Sequence, residues 1–270
     1  MAHFWIAAAL AAAAPAVSAA PAPAPPLPDA RPAIWVVNDA DTTIYLFGTF
    51  HALDGKSAWF NDEVKTAFAA SDELVLETIV PEGAQVSAKP YATPSPLRNL
   101  TVSPSASFLA STRLAISAGR ARGMRVDNGA DMILRRAAEA AGKPITGLET
   151  FDYQLNMFGR MPQQPAQEVG PAQDLSSAGN LAIVMNQMQA AWNRGDPTIF
   201  ATMLDQMRVG SPQSYNVMFT QRNSNWAHWI ANRLRTPGTV FVAVGTGHLA
   251  GPDSVQAKLA QLGIHSSRIN

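Results

Sequence analysis

Thr43-Ile44-Tyr45-Leu46-Phe47-Gly48-Thr49-Phe50-His51 decides how the chain is read, because it recurs in outline two hundred residues later. The second copy is Thr239-Val240-Phe241-Val242-Ala243-Val244-Gly245-Thr246-Gly247-His248. Each is a short apolar run rich in β-branched and aromatic residues, long enough for a buried strand and too short for a helix. Each breaks at a glycine and delivers a histidine three residues on. A glycine just past a strand lets the backbone turn sharply or approach a ligand closely. The histidine then sits at the strand's carboxyl end, where open α/β sheets build their sites. The chain has only five histidines, so two in matched Gly-x-x-His contexts stand out.

The 270 residues are 47% hydrophobic, enough for one core of ordinary size. Twenty basic residues balance twenty acidic ones, and no basic patch points to nucleic acid or an anionic membrane surface. The absence of cysteine excludes disulfides, thiolate metal sites and a cysteine nucleophile. Residues 1–20 read as a signal peptide, with an Ala-rich apolar stretch from Ile6 to Ala14 and a small-residue cleavage site at Val17-Ser18-Ala19. The n-region lacks Lys and Arg, so an Ala-rich anchor or a misread start competes. The apolar part is too short to span a bilayer comfortably, which leaves no integral membrane segment after cleavage. Residues 21–32 form a Pro/Ala-rich tether expected to be disordered, and 33–270 a single folded domain, periplasmic or secreted.

Ile34 to Val37 and Thr43 to Phe47 read as strands joined through the turn-rich Asn38-Asp39-Ala40-Asp41. A helix follows with Asn61 as N-cap, then the strand Leu74-Val75-Leu76 ending at Glu77. Pro81 to Pro96 is a surface excursion, Phe108 to Gly119 a helix, and Met132 to Ala141 a clearer one closed by Gly142. Pro144 to Leu148 leads to another acid, Glu149, with Thr150 as the next N-cap. Loop is expected over Pro162 to Ala178 and helix from Leu181 to Trp192. Another helix starts at Asp196-Pro197, and a long one runs from about Tyr215 to Leu234. A last helix ends at Gly263, and Ile264 to Ile269 closes as a strand. The fold class is α/β, a mixed and largely parallel sheet flanked by helices.

Four strand candidates thus end in His51, Glu77, Glu149 and His248. Parallel neighbouring strands would bring all four to one sheet edge. Two imidazoles and two carboxylates suit a divalent ion such as zinc, manganese or cobalt, and equally suit metal-free general-base hydrolysis. For each the bland reading competes: a hydrogen-bonded structural histidine, or a glutamate that only serves a neighbouring helix. Arg222 lies in the middle of an apolar stripe made by Tyr215, Met218, Phe219, Trp226, Trp229 and Ile230, so it must be paired or open into a pocket. His228 falls on the opposite, solvated face, and His265 has no accompanying motif.

Several motifs in order resemble the TraB/GumN family, which includes the Tiki metalloproteases. They are Ile44 to His51, Leu74 to Glu77, Gly129-Ala130-Asp131, Gly147 to Leu155, Trp192 to Asp196, Arg222-Asn223 with Trp226, and Val244 to Gly251. The resemblance covers about Trp35 to Ile269, thinning over Val80 to Thr112 and Arg160 to Asn180. It implies an α/β core related to the erythromycin-esterase and ChaN-like folds, with a helical insertion. By analogy with the Tiki branch it implies a peptide-cleaving hydrolase using manganese or cobalt, with His51, His248 and Glu77 as ligands and Arg222 matching a family arginine. Glu149 would then be the general base, Arg222 would steady a substrate carboxylate or oxyanion, and the partner would be a peptide or small-molecule substrate. The related ChaN-like proteins suggest haem or iron binding in the same cleft as the alternative, and a vestigial cleft in an interaction protein as another. Phe50 replaces the aliphatic residue of many members and is expected in the pocket wall.

Overall fold

The computed structural model describes residues 27–80, 117–159 and 171–270. The expected signal peptide, the first half of the tether (21–26), the excursion from Pro81 and most of the Phe108–Gly119 helix lie outside them. Within the tether's second half, expected to be disordered, Asp29 bridges Ala58, Ala30 is buried and the Arg31 N–H donates to the Asn193 carbonyl. Among the described residues six strands form one sheet: β1 (Ile34–Asn38), β2 (Thr42–Thr49), β3 (Glu73–Thr78), β4 (Ile145–Glu149), β5 (Gly238–Gly245) and β6 (Ser267–Arg268). Their order is β4-β3-β5-β2-β1-β6. The four strands from β4 to β2 are mutually parallel, while β1 runs antiparallel to both β2 and β6. The expected hairpin turn is present, Asp39 accepting from the Thr42 backbone N–H. The closing strand is shorter than its sequence suggests, only Ser267–Arg268 pairing with Val36 and Trp35.

Helices cover both faces, which is why β2 and β5 read as continuous apolar runs rather than alternating ones. On one face Phe47, Leu74, Leu76 and Phe241 pack with Val64 and Phe68 of α1 (Asp62–Ala70) and Leu134 of α2 (Ala130–Ala140). Trp192, from a later helix, joins them. On the other face Ile44, Leu46, Val75, Val240, Val242 and Val244 meet the helices near the C-terminus. The period-2 alternation of strand side chains sorts these residues to opposite faces.

Helix α3 is Phe151–Gly159, with Thr150 Oγ1 accepting from the Tyr153 N–H. Helix α4 spans Pro171–Asn193, so it begins ten residues before the expected Leu181. Pro171 occupies the first helical position, where a proline starts a helix instead of breaking one. Helix α5 is Thr198–Gly210, with Asp196 accepting from the Thr198 N–H. Next come α6 (Pro212–Tyr215), a π turn over Asn216–Thr220 and α7 (Gln221–Arg233), joined without leaving helical backbone. Trp226, Ala227 and Ile230 of α7 pack under the second face with Val255 and Leu259 of α8 (Val255–Gln261). No described helix is long and apolar enough to cross a membrane.

Candidate functional site

The parallel order puts Glu149, Glu77, His248 and His51 at the carboxyl ends of four consecutive neighbours, β4, β3, β5 and β2. Thr49 pairs with Gly245 across β2 and β5, so the two Gly-x-x-His units leave the sheet side by side.

Neither motif glycine has a positive φ; each matters for the space it leaves. A Cβ on Gly48 would lie 2.9 Å from Thr246 Oγ1, inside the other motif. One on Gly245 would lie 3.0 Å from Glu77 Oε1 and 3.2 Å from His51 Nε2. Each motif's glycine therefore makes room for a neighbouring part of the site. Phe50 turns away from the site into the core, against Trp192 and Phe200, and so is not the pocket wall that the sequence suggested.

Arg222 is buried at 3% exposure, and all five of its N–H groups are used. Nε donates to Glu149 Oε1 at 2.8 Å, and Nη2 to Glu149 Oε2 and Glu77 Oε2, both at 2.9 Å. Nη1 donates to the Met218 carbonyl at 3.3 Å and faces His248 Nε2 at 3.2 Å. The guanidinium also lies over the Trp226 ring, 4.7 Å from its centroid. Burial opposes its charge, but the two glutamates outweigh that and raise its pKa above the ordinary arginine value. Glu149 is as fully occupied: beyond Arg222, Oε1 accepts from Trp226 Nε1 and Oε2 from Gln154 Nε2.

Glu77 Oε1 accepts the Gly245 backbone N–H at 2.6 Å and lies 3.8 Å from His248 Nε2. Burial disfavours its charge; His248, Arg222, His51 and the Gly245 amide overcome that and lower its pKa to about 2. His248 is 5% exposed, between Phe219 and Trp226, whose ring centroids are 4.9 and 4.4 Å away. Its Nδ1 is 2.6 Å from Asn223 Oδ1. Desolvation dominates here, against the pull of Glu77 and with repulsion from Arg222 and His51, and lowers the pKa to about 3.

His51 differs. Its side chain is 59% exposed, and Nδ1 lies 3.4 Å from Asp131 Oδ2 at the start of α2. Desolvation by the cleft walls opposes its charge, yet Asp131, with help from Glu77, raises its pKa from 6.5 to about 9. Beside it opens a cleft of about 280 Å3 lined by Thr49, Glu77, Thr78, Asp131, Arg135 and Gln154, among others. Thr49 Oγ1, Thr78 Oγ1 and Asp131 Oδ1 in its walls are buried without a hydrogen-bond partner. His228 and His265 are exposed and far from being ligands by burial or partner, as the sequence indicated for His228. Sequence reasoning passed over Asp131 and Asn223 as partners of the histidines; both lie inside motifs it quoted, but nothing in their spacing reveals which ring each meets.

The donor chemistry fits a divalent ion. Each imidazole has an oxygen behind Nδ1, Asn223 Oδ1 for His248 and Asp131 Oδ2 for His51. His51 Nε2 and Glu77 Oε1 both border Gly245, and two carboxylates around one guanidinium leave negative charge to be balanced. The Nε2–Oε1 separation of 3.8 Å between His248 and Glu77 is within the span of about 4.4 Å that two ligands of one ion can have. Among the described residues, however, no three such side chains are drawn together tightly enough to enclose an ion. Arg222 Nη1 stands on His248 Nε2, so ligation by His248 requires that hydrogen bond to open.

Comparison with known proteins settles the lineage of this arrangement. The model of the TraB/PrgY/gumN family matches residues 33–105 and 91–268. The chain belongs to the TraB/PrgY/gumN family. Among its relatives is the uncharacterized protein YbaP of Escherichia coli (strain K12), 28% identical over 137 residues, or 51% of this chain and 50% of that protein. YbaP of Shigella flexneri matches with the same figures, so the chain spans about half the length of the relatives it matches. No solved structure matches it.

Proposed function

We propose that this TraB/PrgY/gumN member is an exported, metal-dependent hydrolase acting on peptides, with His51, His248 and Glu77 holding a manganese, cobalt or zinc ion. The observation that carries this reading is the shared placement of the two imidazoles, each with an oxygen behind Nδ1, with His248 Nε2 3.8 Å from Glu77 Oε1 and His51 Nε2 beside the same Gly245 that Glu77 Oε1 borders. That is how ligating histidines are held, by partners that fix tautomer and ring direction. A divalent ion bound there supplies a water whose pKa falls to around 7 and a Lewis acid for the scissile carbonyl.

The chain's own groups then divide the remaining work. Arg222 keeps Glu77 ionised and aimed along the strand edge, and Glu149 keeps Arg222 in place. Both act through Glu77 and His248 as positioning residues. Arg222 has no N–H left for substrate, and Glu149 already accepts four hydrogen bonds, which leaves it no free lone pair with which to act as a base. Substrate enters the open cleft beside His51, whose exposed ring is the reachable side of the site.

Elemental analysis of the purified protein beside His51→Ala and His248→Ala tests the reading. We expect one divalent ion per chain in the wild type, its loss in both variants, and peptide cleavage that follows ion content. Wild-type protein that takes up no ion at micromolar concentration overturns it. Export is tested separately by the amino terminus of periplasmic protein, expected near Ala20 or Pro21.

A further inference from the structure

Asn223 is buried at 1% exposure on α7, next to Arg222 and with no claim of its own on the cleft. Its Nδ2 donates to the Asp253 backbone carbonyl at 2.7 Å. A carbonyl oxygen only accepts, so the amide nitrogen must face Asp253 and Oδ1 must face His248. An amide oxygen also only accepts, so His248 Nδ1, 2.6 Å away, carries the proton and Nε2 carries the lone pair. The opposite side of the ring agrees independently, since Arg222 Nη1, which only donates, sits 3.2 Å from Nε2.

We infer that Asn223 is the positioning residue that fixes the tautomer and direction of His248, and so readies Nε2 to ligate a divalent cation. The inference deepens the proposed function and rests on it for the cation; the tautomer stands on geometry alone. Asp253 supports Asn223 in turn, its carboxylate held by Lys258 Nζ at 2.6 Å and Tyr215 Oη at 3.0 Å. The anchor of the second Gly-x-x-His unit thus reaches from α6 through the loop before α8.

Long-range proton–nitrogen NMR of the metal-free wild-type protein tests the tautomer. We expect His248 to show a protonated Nδ1, with a downfield and exchange-protected proton, and an unprotonated Nε2. Finding the proton on Nε2 overturns the inference without any variant. Asn223→Leu should lose that protected proton and bind Zn2+ or Mn2+, titrated calorimetrically, about 10- to 100-fold more weakly. Asn223→Asp keeps an acceptor for Nδ1–H and should recover the protected proton and part of the affinity. An Asn223→Leu protein that binds the ion as tightly as wild type also overturns it. If wild-type protein binds neither ion, the hydrolase reading falls, and the NMR result alone decides what Asn223 does.

Discussion

The two Gly-x-x-His units leave neighbouring parallel strands side by side, yet their histidines live in opposite surroundings. His248 is enclosed by Phe219, Trp226 and Arg222, has a neutral amide behind it, and is held neutral down to a pKa of about 3. His51 is more than half exposed, has a carboxylate behind it, and stays protonated up to about 9. The repeated motif fixes where each ring is placed. What the ring does is decided by residues from elsewhere in the chain, α7 for one and α2 for the other. One side of the site is built into the core and the other is left at the cleft.

The largest way to break that asymmetry is through its buried half. Arg222→Ala should destabilise the protein by roughly 3–5 kcal/mol, because it strands Glu77 and Glu149 without their counter-charge. His51→Ala, on the exposed half, should cost no more than about 1 kcal/mol. Urea unfolding of both variants measures the gap, and equal losses would mean the two halves are not different in kind.

Next in size is the pair of motif glycines. Gly48→Ala pushes a methyl group against Thr246 Oγ1 and toward the Thr246 backbone, and overpacking of this sort costs about 1–3 kcal/mol. Gly245→Ala presses on the ends of the Glu77 and His51 side chains, which can swing away. It should unfold close to wild type while losing the ion or substrate binding of the cleft. Stability measured beside calorimetric ion binding separates the two.

The pH dependence of stability in metal-free protein sharpens the contrast further. His248 has its folded pKa below 6.5, so its contribution is complete above pH 6.5 and is lost as the pH falls toward 3. Glu77 adds to the same acid limb between 4.5 and about 2. His51 has its folded pKa above 6.5, so its contribution is complete below 6.5 and is lost as the pH rises through 9. His51→Ala should flatten the alkaline limb and leave the acid one. His248→Gln should make the acid limb shallower between 6.5 and 3. The smallest change is Asp131→Asn, which should lower the His51 pKa toward 6.5, read by NMR titration, and cost stability only below about pH 9, where the wild-type ring is protonated.

Much of this was legible in the sequence where burial writes a pattern. The apolar runs of β2 and β5 announce central parallel strands, and Arg222 within an apolar stripe announces a buried, paired charge, as found with both Glu77 and Glu149. The site's strand-end order also follows once the strands are parallel neighbours. The partners behind the histidines were not legible, because Asn223 and Asp131 reach them through tertiary contacts 25 residues or more away in sequence, which no local period records. Glu149 illustrates the same limit: its position at a strand end reads as catalytic, and only the count of its hydrogen bonds shows that it is occupied. The early start of α4 was hidden by Pro171, a residue that breaks helices everywhere except at their first turn.

The π turn at Asn216–Thr220 has a consequence for how this chain can change in length. A π turn holds one residue more than an α-helix needs to cover the same rise, and it absorbs that residue locally. Tyr215 on one side, bonded to Asp253, and Arg222 on the other are therefore both docked with a spare residue looped out between them. Deleting the exposed Asn216 should let the segment close into regular α-helix with both docked ends in place. A deletion within α7 offers no such slack and would rotate the following residues by about 100° against the sheet. Chains that lack one residue here can keep the same site, so a gap in this turn is compatible with an intact cleft, whereas a gap four residues beyond Arg222 is not.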